Sequence, residues 1–377
     1  MAIIVNKKIG NTSVSYNPTF YKQAVKDYQD GNYRKLHALM ESAERDSHVS
    51  GCLIGRRAGF LREWRVTPLS ESAADKKVAQ LVESVFMGIN MRDLFEDVHE
   101  ARLKKYAVID LTWDIIANKQ VITKAQKIEQ KYFRYDPKDN VLKIDFDKTL
   151  NEILEDSALV CESNRMPLLL PVLREFILKE FGIESWASFL ETFGEAFIIG
   201  KYPPGSSKET IDELKQGIDA LAGSARGVMP DTSNVEFKET QRHTGDHKDF
   251  TTRADQGIAI SLLGHANAVE QSPGLQVGDN TSSYKVRREI ALGDIFYIEE
   301  QIYRLVRMIV DRNEGNGRYP IFSIDKSEPI DVRERLDVLQ FAWDTGYEIN
   351  PTEIAKLGLF MYPNQPSLKK EVVNLLD

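Results

Sequence analysis

Between about Ser283 and Asn313 the chain carries an apolar stripe: Ala291, Ile295, Ile298, Ile302, Leu305 and Ile309, at steps of 4, 3, 4, 3 and 4. The spacing predicts one helix of about 30 residues, a rod of roughly 45 Å at ~1.5 Å per residue. That is long for a globular helix and suits one that packs along identical neighbours. The rest of the 377-residue chain must supply a body for this rod. At roughly 100–200 residues per domain, two or three domains are expected.

Composition narrows the class. With 42% apolar and 28% charged residues the chain reads as a globular protein, neither disordered nor collagenous. No apolar run approaches the ~18 residues of a membrane helix, so no membrane role is expected. The start, Met1 to Lys8, has no cleavable apolar region, and Cys52 and Cys161 are too few for a disulfide framework. A cytosolic product is expected. The net charge of −8 argues against a tight, sequence-reading DNA binder, which usually has a basic face. It leaves open a protein that touches DNA weakly and lets it slide. Charge is uneven: residues 1–68 carry a basic excess, and the remainder is acidic.

Periodicity gives a mixed α+β reading. Residues 18–43 have helical apolar spacing, Asp46 caps a second helix, and Trp64–Pro68 looks extended. Helices follow over 71–86 and 92–105. Ile109, Leu111, Trp113 and Ile115 alternate with polar residues as in a half-buried strand. Residues 131–135 and 141–146 form a hairpin around Asp136-Pro137-Lys138-Asp139-Asn140, and 168–194 is helical. Pro203 to Ser207 breaks the chain and caps a helix running to 223. A strand-like stretch covers 234–238, a helix reaches 263, and 265–283 reads as a loop. After the long helix come a strand at 319–324 and two short helices, 330–343 and 351–360.

The chemistry-bearing motifs are few. There is no Walker A sequence, no G-x-S-x-G elbow and no H-E-x-x-H pair. Gly55-Arg56-Arg57-Ala58-Gly59 is Gly-flanked and basic but lacks the Lys-Ser/Thr that meets phosphate and metal, so it reads as a solvated helix turn. His243, Asp246, His247 and Asp249 have metal-ligating composition and suggest a metal-dependent hydrolase. A solvated polar loop is the plainer reading. Asp110 and Asp114 share a strand face as a catalytic pair would, but solvent-facing alternation accounts for them equally. Lys285, Arg287 and Arg288 head the long helix and could meet nucleic-acid phosphates, or face a neighbour's carboxylates.

Three stretches resemble the portal proteins of tailed phages, in particular the Mu-like portal family. The first runs from Asp46-Ser47-His48-Val49 through Arg56-Arg57 to Trp64-Arg65-Val66-Thr67-Pro68, with Ala107 to Trp113 downstream. The second is Trp186-Ala187-Ser188-Phe189-Leu190-Glu191-Thr192-Phe193-Gly194-Glu195-Ala196-Phe197, leading to Gly200-Lys201-Tyr202. The third is Ile260-Ser261-Leu262-Leu263-Gly264, a Gly/Ser/Asn loop, then Val286-Arg287-Arg288-Glu289 and a helix ending at Asn313.

The resemblance implies a portal fold and a ring homo-oligomer, usually a dodecamer, at one capsid vertex. Double-stranded DNA is packaged and ejected through its channel without sequence readout. The implied partners are the terminase large subunit, major capsid and scaffold proteins, and head-tail connector or neck proteins. The setting is the virion, with the host cytoplasm during assembly; no enzyme activity and no cofactor are implied. Carried onto this chain, 1–19 is an N-terminal arm, 20–205 a mixed wing and 206–264 a helical stem with a small clip at about 224–245. Residues 265–283 are a tunnel loop, 284–313 the long tunnel helix, 314–329 a return to the wing, and 330–377 a reduced helical crown. Gln276, Asp279, Asn280, Thr281 and Ser282 of the loop, with Lys285, Arg287 and Arg288 above it, are the implied DNA-facing set.

Overall fold

A computed structural model describes residues 13–146, 149–154, 156–193, 198–219, 226–232, 244–266, 280–315, 317–327 and 332–346. Helix α1 (Pro18–Gln29) starts on Asn17, whose side-chain oxygen accepts from the Phe20 amide at 2.8 Å. The helical spacing expected to run on to Ala43 is broken at Gly31, which takes φ +79°, a left-handed value that residues with a Cβ rarely adopt. Helix α2 (Arg34–Ala43) resumes beyond it. Asp46 caps α3 (Ser47–Arg57), accepting from the His48 and Val49 amides at 3.0 Å. Next come β1 (Trp64–Thr67), α4 (Ala73–Met87) and α5 (Met91–Lys104), the two helices capped by Ser72 and Asn90.

Strand β2 (Tyr106–Ile116) lies between β3 (Lys119–Ile128) and β7 (Ala158–Glu162), antiparallel to both. The half-buried expectation for β2 fails at both ends. Tyr106 to Ile109 are buried on both faces because a core covers each side, whereas Ile115 and Ile116 are exposed at the tip of a two-stranded ribbon. The hairpin expected after residue 131 is present: β4 (Phe133–Tyr135) pairs with β5 (Leu142–Phe146), and β6 (Thr149–Asn151) completes that sheet.

Helix α6 (Leu169–Phe193) is followed by β8 (Ile198–Tyr202), α7 (Lys208–Asp219) and β9 (Arg226–Pro230). The two strands are parallel, joined by α7 as crossover. Helix α8 (Thr244–Leu263) leads to α9 (Asn280–Asn313), and β10 (Ile321–Ile324) pairs antiparallel with β1. The strand expected at 234–238 and the helix expected at 351–360 lie outside the described residues. A separate unit begins at Asp325; its described helix is α10 (Val332–Asp344).

Two cores flank α5. One joins α4, α5, β2 and β10 to the stripe of α9, with Ile295, Ile298, Ile302, Leu305 and Ile309 wholly buried. The expectation that this stripe packs along identical neighbours is therefore corrected: the chain buries it in its own interior. The second core joins α2, α3, α6 and α8. A smaller aromatic cluster around Tyr33, Tyr106 and Tyr135 closes the far face of β2.

Candidate nucleic-acid interface at the head of the long helix

Helix α9 begins at Asn280, four residues earlier than the expected 284. Asn280, Thr281 and Ser282 thus sit in its first turn and not in a loop. Gln276 and Asp279 lie outside the described residues. The first turn contains no acidic residue, and Lys285, Arg287 and Arg288 follow close behind. Free amides and the helix dipole already make an N-terminus positive, so cations there add to the potential instead of neutralising it. Lys285 and Arg287 are exposed; Arg288 is half-buried, its guanidinium 3.9 Å from Glu289. Lys285 and Arg288 are three apart and share a face.

This head is held from below. Gly264, with φ +74°, ends α8 so close to α9 that a Cβ there would lie 2.7 Å from Val286 Cγ1 and 3.0 Å from Ile290 Cδ1. Gly59 likewise leaves room for Ala291: an added Cβ would be 2.7 Å from the Ala291 Cβ. Between these contacts lies a buried ionic knot. Asp294, fully buried on α9, accepts from Arg56 Nε at 2.8 Å and Nη2 at 3.1 Å, and from Arg102 Nη1 at 2.5 Å. Arg56 Nη1 also donates to the Leu262 carbonyl at the end of α8, at 2.6 Å. One carboxylate thereby ties α3, α5, α8 and α9 together.

Burial alone would raise the Asp294 carboxyl, but the groups around it, His99 and Arg56 first among them, more than reverse that and hold it well below the usual carboxylate range. His99 packs on Phe60 with ring centroids 4.7 Å apart. Its Nε2 lies 3.3 Å from Asp294 Oδ2 without hydrogen-bond geometry. Burial pushes this imidazole below its ordinary value, against the opposing pull of the Asp294 carboxylate.

Arg56 corrects the sequence reading of a solvated turn at 55–59. Its side chain is only 5% exposed, on the same face of α3 as Val49, Cys52 and Leu53. Arg57, by contrast, reaches outward to Glu96 at 3.8 Å. Sequence reasoning missed the knot, although a signal was there. Asp294 is three residues after Ala291 and four before Ile298, on the buried stripe, where a lone carboxylate needs a cation.

The metal-ligating cluster is not brought together in the described structure. His243 lies outside the described residues, Asp246 and His247 fall at the start of α8 with side chains not described, and Asp249 is exposed. Among the described residues no group of His, Cys, Asp or Glu could hold a metal ion. Asp110 is half-buried and Asp114 exposed near the ribbon tip, and they form no such group.

A family model described as the portal protein of Mu bacteriophage matches residues 37–357. The chain belongs to this portal family. It is similar to the portal protein of Escherichia phage Mu, with 23% identity over 361 residues, 90% of this chain and 70% of that one. It is also similar to the Mu-like prophage FluMu protein gp29 of Haemophilus influenzae, with 20% identity over 332 residues, 81% of this chain. The chain spans 63% of the length of that relative. Its fold resembles a chain in the neck of an empty GTA particle computed with C6 symmetry. The TM-score is 0.55 and the identity 11%, covering 86% of this chain and 93% of that one. The fold is thus the mixed α+β fold of phage portal and neck proteins, and the metal-dependent hydrolase finds no support in any of these likenesses.

Proposed function

We propose that copies of this chain form a ring, a dodecamer, at one capsid vertex, and that double-stranded DNA is packaged and ejected through its central channel. The observation that carries this reading is the portal-family match across residues 37–357. In this reading the role is structural and not enzymatic. The terminase large subunit docks during packaging and neck or connector proteins replace it, while major capsid and scaffold proteins surround the ring. The protein would assemble in the host cytoplasm and remain in the virion.

The arm (1–19), wing (20–205), stem (206–264) with a clip near 224–245, tunnel loop (265–283), tunnel helix (284–313), return (314–329) and crown (330–377) are proposed as its parts. Lys285, Arg287 and Arg288 would meet the DNA backbone, with Asn280, Thr281 and Ser282 beside them and Gln276 and Asp279 preceding. A conduit must hold DNA without gripping it. A net charge of −8 with a few cations at the helix head supports that, since repulsion from most of the wall and a handful of phosphate contacts keep sliding barriers low.

Native mass spectrometry with negative-stain imaging tests the assembly. A closed ring of 42.9 kDa chains with a central hole is the expected result, with scaffold or capsid protein added if the chain alone stays monomeric. A compact monomer or dimer under both conditions would contradict it.

A further inference from the structure

Away from α9, four segments meet around a cavity of about 440 Å³. They are the turn between α1 and α2, the junction of α5 and β2, the β4–β5 hairpin, and the end of β7. Its lining is nearly all oxygen-bearing: Tyr28, Tyr33, Tyr135, Glu162, and the amides of Asn140 and Asn164. The tyrosines brace one another. The Tyr28 and Tyr33 rings are 4.8 Å apart, edge to face, and those of Tyr33 and Tyr135 are 5.3 Å apart. Tyr135 Oη donates to Glu162 Oε1 at 2.6 Å, which fixes that carboxylate at the rim.

Among the described residues, the cation in the lining, Lys105, is already committed. Lys105 Nζ donates to the Ser163 carbonyl at 2.5 Å, and its own carbonyl accepts from the Ser163 amide at 2.9 Å. These two bonds hold Lys105 at φ +88°, a value that few non-glycine residues adopt. The same clamp positions Glu162, Ser163 and Asn164. Glu162 Oε2 and the Tyr28 and Tyr33 hydroxyls make no hydrogen bond among the described residues. Residues whose oxygens make no hydrogen bond among the described residues therefore line the cavity beside the Glu162 carboxylate, while the ammonium is turned onto backbone carbonyls.

We propose that this cavity binds an organic cation, the guanidinium or ammonium of an arginine- or lysine-type group. A donor-only cation with several N–H groups matches phenol, amide and carboxylate acceptors converging on one space. Charge-assisted bonds to Glu162 would supply most of the discrimination, and the partly exposed Tyr28 ring offers a further electrostatic contact. An anion would meet Glu162, and a neutral ligand would forgo the carboxylate. The cavity is large enough for one such side chain. The same chemistry could come from a protein side chain or from a free polyamine. The inference does not depend on the portal reading.

Calorimetric titration of the full-length protein tests it with N-acetyl-arginine methylamide, its neutral citrulline counterpart, and spermidine. The arginine probe should bind saturably and the citrulline probe should not. Glu162→Gln, which keeps the size and a Tyr135 acceptor, should weaken binding by about ten-fold or more. Tyr33→Phe, which removes a hydroxyl with no hydrogen-bond partner among the described residues, should weaken it less and leave the melting temperature unchanged. Spermidine binding more tightly, with the same Glu162 dependence, would keep the cation site and assign it to free polyamines. Equal binding of the citrulline and arginine probes, binding indifferent to Glu162→Gln, or no binding of either cation would overturn the proposal.

Discussion

Two stretches of α9 share one helix and differ in everything that surrounds them. From Ala291 to Val310 the helix buries a continuous apolar edge and one carboxylate, packed against α3, α4, α5, β2 and β10 of the same chain. From Asn280 to Ile290 it carries exposed cations, no acidic residue in its first turn, and a seam of contact with the end of α8. The lower stretch is a fixed post, and the upper one leaves Lys285 and Arg287 exposed. Position along a single helix thus separates the residues that hold the fold from those that the proposed function assigns to DNA.

Substitutions at Asp294 should break this contrast most sharply. Asp294→Ala leaves the buried Arg56 guanidinium and the partly buried Arg102 guanidinium without their shared counter-charge, an expected loss of about 3–5 kcal/mol in denaturant unfolding. Ile302→Ala, in the middle of the buried edge, should cost about 2–5 kcal/mol by opening a cavity. Gly59→Ala places a Cβ against the Ala291 Cβ and should cost about 1–3 kcal/mol through overpacking, because the opposing atom is attached directly to the helix backbone. If Gly59→Ala proved neutral, the post would be less tightly fixed than described.

A pH titration sharpens the comparison further. The Asp294 pKa is depressed in the folded state, so its stabilisation is present above the ordinary carboxylate range and lost as pH falls below about 4. The His99 pKa is also depressed, so stability should begin to fall once pH drops below about 6.5, where the unfolded chain takes up a proton more readily than the fold does. Stability therefore rises with pH across both windows, and Asp294→Asn should flatten the acid limb measured by thermal unfolding.

The smallest effect on stability belongs to the head. The triple change Lys285→Ala, Arg287→Ala and Arg288→Ala should shift unfolding by only about 0.5 kcal/mol. It should nonetheless lower the salt slope of non-specific DNA binding by about 2–3.

What was legible in the sequence was what local chemistry decides. The Asp46 cap, the α9 stripe and the turn around Asp136 to Asn140 each depend on residues within a few positions, and each stands where its pattern put it. Strand β3 was missed because its hairpin with β2 turns on Ala117 and Asn118, both at positive φ, with no glycine to announce the turn. The β8–β9 pairing was missed because a parallel pair is joined across a helix and leaves no local mark. Arg56 was misread because its partner is 238 residues away. Of the implied DNA-facing set, Lys285 and Arg287 are exposed at the helix head, and the contacts that hold that head lay beyond local patterning.

A density map of the assembled particle at side-chain resolution is the most direct test of the central claim. The account predicts a closed ring in which the head of α9 reaches the channel wall, with Lys285 and Arg287 pointing into the lumen. A ring with those side chains sealed between subunits or turned to the outer rim, or a particle with no ring of this chain, would contradict it.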